Sequence, residues 1–182
     1  RLTESEVRDL VAFLSSLGRL PEFTIKPDQI IARRWQTLAA TPQAAHAITR
    51  TSIKTAAQEH PDFVWQTAYS SVSGSLPLSE VPHMHSRYGL KPGDLGASYV
   101  RTYLEVLQPG RAKLQIEPSK GVSVWIGETP YDPATSPEID WTAGPQKITL
   151  AIDRDAAGSG PLSLRVVAPA EKGALIKAVG GK

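Results

Sequence analysis

Apolar residues recur at Val7, Leu10, Val11, Leu14 and Leu17, one face of a 3.6-residue period. Thr3 stands at the cap position and Glu6 three residues on, the spacing of a capping box, while Leu2 and Val7 are placed for a hydrophobic staple. Gly18 is a natural left-handed stop. The pattern predicts an amphipathic helix of about four turns whose apolar face needs a partner. A second helix is expected from Pro27 through Ile30, Ile31, Arg34, Trp35 and Leu38, with the proline in its first turn. Thr41-Pro42 repeats the cap-then-proline signal for a third, running through Ala45, Ile48, Ser52 and Ile53 to about Gln58.

At His60-Pro61 the pattern changes to short β-rich runs punctuated by Pro and Gly, as in an all-β sandwich or barrel. The expected strands are Phe63–Tyr69, Tyr99–Leu107, Ala112–Glu117, Val122–Ile126, Gln146–Ile152 and Leu162–Val167. Gln108-Pro109-Gly110-Arg111 reads as a turn pairing the second of these with the third, and Lys120-Gly121 as the next reversal. Asp155–Gly160 reads as a hairpin loop between the last two strands. Between Val72 and Ser98 the pattern assigns no element. The fold class expected is α+β: short N-terminal helices (1–18 a terminal helix, 19–60 a helical linker), then an antiparallel β-sandwich over 61–182.

Composition narrows the function classes. The chain of 182 residues is 41% hydrophobic and 21% charged, enough apolar material for a sizeable core. Its 20 basic and 18 acidic side chains leave a formal charge of +2 with no basic stripe, so nucleic acid is not an expected partner. With no cysteine, this stretch carries no disulfide, thiol nucleophile, Cys-ligated zinc or C-x-x-C-H haem attachment. No run approaches the roughly 18 apolar residues of a membrane span. Helix grammar from the first residues suggests an internal or C-terminal piece of a longer polypeptide.

The run Leu2-Thr3-Glu4-Ser5-Glu6-Val7-Arg8-Asp9-Leu10-Val11-Ala12-Phe13-Leu14 resembles the closing helix of bacterial class I cytochromes c. Those domains commonly end in L-T-x-x-E-hydrophobic-x-D-L-hydrophobic-A-F/Y-L, and this helix packs across their N-terminal helix beside the haem. Ile31-Ala32-Arg33-Arg34-Trp35, the run Val64–Leu78 and the ending Val179-Gly180-Gly181-Lys182 are similar to the tail of large planctomycete-type haem-binding proteins, often labelled membrane-bound dehydrogenases. Val122–Gly127 and Thr142–Arg154 resemble PA14-like, jelly-roll sugar-binding sandwiches, although Gly127-Glu128 replaces the usual Asp-Gly turn and Gln146 stands where His is common. The resemblance implies an exported, periplasmic or cell-surface c-type cytochrome, with haem c held upstream of this chain and no cofactor within it. It implies a non-catalytic docking role, with an upstream cytochrome c domain or another protein chain as partner. The docking face would be Val7, Leu10, Val11, Leu14 and Leu17, covered by that cytochrome, by the sandwich or by another chain.

Other side chains carry candidate chemistry. His83-Met84-His85 places two imidazoles at the i, i+2 spacing of a metal edge, with no third ligand within reach by spacing. Asp153-Arg154-Asp155 before Gly158-Ser159-Gly160 offers loop oxygens to a cation, against the plainer reading of an Asx turn. Glu138 and Asp140 form a carboxylate pair whose default is a solvated face. Trp65, Trp125, Trp141 and Tyr131 are the aromatics of a possible sugar platform; Trp125 is expected in the core, and Tyr131 with Trp141 are the candidate ligand-facing rings for a glycan. Phosphate loops, nucleophile elbows and H-E-x-x-H zinc motifs are absent, and no catalytic residue is assigned.

Overall fold

Two patterns of burial along the central strands set the architecture of the computed structural model, which describes residues 3–17, 29–84, 97–169 and 173–179. Gly110–Glu117 alternates, with Ala112, Leu114 and Ile116 buried and Arg111, Lys113, Gln115 and Glu117 exposed, the signature of a strand with one face in water. Ala97–Gln108 is buried at every position from Ser98 to Thr102 and alternates only beyond, so its first half is covered on both faces.

The elements, in chain order, are α1 (Glu4–Leu17), β1 (Gln29–Ile31), β2 (Arg34–Leu38), α2 (Pro42–Arg50), a 3₁₀ turn (Ile53–Ala57) and β3 (Trp65–Tyr69). A second 3₁₀ turn (Leu78–Glu80) precedes β4 (Ala97–Gln108), β5 (Gly110–Glu117), β6 (Val122–Ile126), β7 (Thr129–Tyr131) and β8 (Glu138–Trp141). The chain continues with β9 (Gly144–Asp153), a single helical turn α3 (Arg154–Ala157), β10 (Ser163–Val167) and β11 (Leu175–Ala178). Among the described residues the strands form a four-stranded sheet, β1-β10-β5-β8, and a seven-stranded sheet, β3-β2-β4-β9-β6-β7 with β11 also on β4. Every strand pairing is antiparallel. One cluster joins the two inner faces, with Leu114, Ile116, Leu164 and Val166 from the smaller sheet and Val100, Leu104, Ile148 and Leu150 from the larger. The protein is therefore mostly antiparallel β, with the layering of a β-sandwich.

A second cluster lies on the outer face of the larger sheet. Ala44, Ala47 and Ile48 of α2, Ala56 and Ala57 of the 3₁₀ turn and Phe63 pack over Leu38, Tyr99, Trp125 and Ala151. The helix begins where expected: Thr41 Oγ1 accepts the Ala44 N–H at 3.2 Å and Pro42 occupies the first turn. It stops at Arg50 rather than near Gln58. Thr49 Oγ1 donates to the Ala45 carbonyl at 2.7 Å and Thr51 Oγ1 to that of Ala47 at 2.8 Å, side-chain bonds that compete with the helical ladder.

Several expectations are corrected. The helix expected from Pro27 is replaced, over its described residues, by β1 and β2, so 29–60 is not simply a helical linker and supplies a strand to each sheet; residues 19–28 of that expected linker lie outside the described residues. Ile31, Trp35 and Leu38 match a helical period, but in β2 Trp35 enters the main core and Leu38 the second cluster, on opposite faces of one strand. The Gln108–Arg111 turn does not pair the strands it joins. β4 lies in the larger sheet and β5 in the smaller, so the chain crosses the sandwich there. The Asp155–Gly160 loop likewise carries the chain from β9 to β10 in the other sheet. The other expected strands stand within a few residues of their predicted ends, while β7, β8 and β11 were not foreseen.

Candidate functional site

The predicted docking face stands on a well-capped helix. Thr3 N–H donates to Glu6 Oε2 at 2.6 Å and Glu6 N–H to Thr3 Oγ1 at 3.3 Å, the reciprocal pair of a capping box. The backbone bond from Thr3 holds the Glu6 carboxyl below its ordinary value. Val7, Leu10, Val11 and Leu14 are 46–56% exposed, with Phe13 beside them at 54%. The described residues of this chain therefore leave the face open. The Leu17 side chain lies outside the described residues.

The candidate sugar platform is corrected. Tyr131 and Trp141 are both buried, at 9% and 3% exposure, in the main core. Tyr131 Oη donates to the Leu114 carbonyl at 3.0 Å, with the Pro137 carbonyl at 3.3 Å, and burial raises its phenol. Trp141 Nε1 donates to the Ala112 carbonyl at 3.2 Å. Each ring thus fills the core and spends its polar atom on a β5 carbonyl, which fastens the 129–141 segment to that strand. Trp125 is buried in the second cluster, as expected.

The other candidates resolve into structural roles. Met84 is buried and its N–H donates to the Ala97 carbonyl at 3.0 Å, and His83 Nδ1 lies 3.3 Å from Ser98 Oγ. His85 falls outside the described residues, among which no cluster of three or more His, Cys, Asp or Glu side chains suits a metal ion. Asp153 Oδ1 accepts the N–H groups of Asp155 at 3.0 Å and Ala156 at 3.2 Å, which makes it the cap of α3. Asp140 pairs with Arg111 at 3.2 Å, and Glu138 lies 3.9 Å from both Arg111 and Lys113, a charge ladder across β5 and β8. Arg154 Nε donates to Ser98 Oγ at 2.9 Å and its Nη2 to the Val81 carbonyl, on one wall of an open cleft of about 580 Å³.

The most concentrated polar arrangement was missed from sequence. Register places Thr67, Gln36, Arg101, Thr149 and Trp125 in one row across the outer face of the larger sheet. Arg101 is 8% exposed at the border of the second cluster. Its Nε donates to Gln36 Oε1 at 2.6 Å and its Nη1 to Glu59 Oε1 at 3.0 Å, while its guanidinium lies 4.2 Å from the centre of the Trp65 ring and 5.6 Å from that of Tyr103. Lys147 Nζ meets the same Glu59 oxygen at 2.9 Å. The Lys147 hydrogen bond chiefly holds the Glu59 carboxyl below its ordinary value; burial opposes it, and the charges of Arg101 and Lys147 with the Arg101 hydrogen bond tip the sum downward. The available signal was an arginine set between Tyr99 and Tyr103 on one face of a long β-run.

Beside Arg101 the sheet has a notch. β9 occupies one edge of β4 along residues 97–106, so β2, at Val100 and Arg101, and β11, at Leu104 to Gln108, follow one another along the other edge. Between their ends Thr102 Oγ1 donates to the Arg34 carbonyl at 2.9 Å and Val179 N–H to the Tyr103 carbonyl at 3.1 Å. Arg34, Trp35, Gln36, Arg101, Tyr103 and Val179 line a cavity of about 310 Å³ there. Among the described residues, no helix is long and apolar enough to cross a membrane. No protein-family model, curated protein or solved structure matches this chain.

Proposed function

We propose that the chain is a non-catalytic docking module of a larger, exported c-type cytochrome at the periplasm or cell surface, with α1 as the closing helix of the cytochrome body and a jelly-roll, PA14-like sandwich attached to it. The observation that carries this reading is the uncovered apolar face of α1, on the stretch that resembles a cytochrome's last helix. A 14-residue helix is at the margin of stability in water by itself, and its capping box does not supply the missing packing. Burying the four half-exposed residues Val7, Leu10, Val11 and Leu14 contributes about 1 kcal/mol each, since complete burial of a Val or Leu is worth about 1.5–3 kcal/mol. About 4 kcal/mol suffices to seat the helix on a covalently attached neighbour, and as a bimolecular contact it corresponds to only about millimolar affinity. The occupant that suits it is therefore a domain of the same polypeptide, the helix-crossing surface of a cytochrome c body. In that parent the haem carries the electrons; this chain, without cysteine, supplies no residue to attach it and serves to position the domain. The test is the haem content and mass of the polypeptide from its native source. With Tyr131 and Trp141 buried, that ring pair does not support the glycan reading.

A further inference from the structure

We propose that β3 is a pairing edge through which two copies of this chain join, the Trp65–Tyr69 strand of one lying antiparallel to that of the other. β3 ends the larger sheet, and the bonds that hold it there decide which of its groups stay free. Ala39 N–H donates to the Val64 carbonyl at 2.9 Å and Ser70 N–H to the Arg33 carbonyl at 3.0 Å, in the register that sets Thr37 opposite Gln66 and Trp35 opposite Ala68. Hydrogen-bonded pairs alternate along an antiparallel ladder, so residues 64, 66, 68 and 70 bond toward β2. The N–H and C=O groups of Trp65, Thr67 and Tyr69 then point outward, and no described residue takes them. An extended backbone is the partner that satisfies such a row.

The other edges among the described strands are guarded. β1 spans only Gln29–Ile31, β7 only Thr129–Tyr131 with Pro130 inside it, β8 carries Glu138 and Asp140, and β11 carries Lys177. Short length, proline and charge are devices that keep sheet edges from pairing. β3 has none of them: it runs on β2 from Trp65 to Tyr69 without a break in register, and no charged side chain stands between Asp62 and Glu80. The symmetry of the edge selects a second copy over a foreign strand. A two-fold axis at Thr67 sets that residue against its own copy and Trp65 against Tyr69 of the second chain, each a hydrogen-bonded pair. Trp65, Thr67 and Tyr69 share the outer face, where Tyr69 is exposed and the Trp65 ring already carries the Arg101 guanidinium at 4.2 Å. The pairing therefore sets aromatic against aromatic on both sides of the axis, a favourable cross-strand combination, and opposes no like charges.

Sedimentation equilibrium of the 182-residue protein tests the pairing. One short strand pair makes a small interface, so the expected dissociation constant lies between about 10 μM and about 1 mM. Over that range the weight-average mass of wild type should climb from 19.6 kDa toward twice that value. Thr67→Lys and Thr67→Glu change an exposed side chain and put like charges on the two-fold axis, so each should weaken the dimer by about tenfold or more. Their equimolar mixture should recover it, because opposite charges then meet. Leu10→Asp, on α1, should dimerise as wild type does. A wild type that stays at 19.6 kDa throughout overturns the proposal and leaves the edge to a strand of another protein. Undiminished dimerisation of Thr67→Lys, no recovery in the mixture, or a dimer lost in Leu10→Asp overturns it as well.

Discussion

Replacing Arg101 by Met tests whether the clamp on the outer face of the larger sheet stabilises the fold. The substitution keeps an unbranched apolar stem over Trp65 and removes the guanidinium. Three contributions are lost. The 2.6 Å bond to Gln36 is charge-assisted and of a class worth about 1.5–3 kcal/mol. The guanidinium over the Trp65 ring, 4.2 Å from its centre, adds about 1–2 kcal/mol in a largely desolvated site. The pair with Glu59, whose side chain is 70% exposed, adds no more than about 1 kcal/mol. Against these stands the relief of no longer burying a charge, which returns a large part of the sum. The net loss expected is about 2 kcal/mol, or roughly 4–8 °C in the thermal midpoint of a domain of this size. Circular-dichroism melts of wild type, Arg101→Met and Arg101→Lys decide it. Lys, which keeps the charge without the planar fork, should recover less than half of the loss. An Arg101→Met protein that melts within about 1 °C of wild type refutes the clamp.

Two further expectations concern the same sheet and the crossing beside it. Glu59 has a folded-state pKa below its ordinary 4.5, so its contribution is present above that pH and is lost as pH falls through the lowered value. Urea titrations should therefore show Glu59→Gln less stable than wild type at pH 7, with the gap closing in acid; a constant gap contradicts this. Gly74 has φ +89°, and a Cβ there would stand 2.1 Å from Ile31 Cγ2. Gly74→Ala should cost about 2 kcal/mol or more from backbone strain and that overlap, read as a lowered urea midpoint.

The longer strands of the β-rich half were readable because they alternate or run apolar between turn residues, and Val122–Ile126 stands at its expected bounds, whereas the short β7, β8 and β11 carry too few residues to show a period. The first half was harder for a specific reason. Ile31, Trp35 and Leu38 satisfy both a helical and a strand pattern, and only pairing with β3, β4 and β10 decides between them. Sheet membership was invisible at Gln108–Arg111 and Asp155–Gly160, since a short loop that closes a hairpin and one that crosses a sandwich have the same turn composition. The rings of Tyr131 and Trp141 sit in a Pro-rich segment that reads as surface, yet two β5 carbonyls satisfy their polar atoms and let them be buried. The Arg101 clamp gathers residues from four separate parts of the chain, Gln36, Glu59, Trp65 and Lys147 among its partners, and no local spacing announces it.

The apolar face of α1 is exposed among the described residues, and the docking account depends on what covers it. The most direct measurement is a pyridine-haemochrome spectrum with intact mass on the polypeptide from its native source. The account predicts covalently bound haem c and a mass well above 19.6 kDa. A haem-free polypeptide with a mass near 19.6 kDa contradicts it.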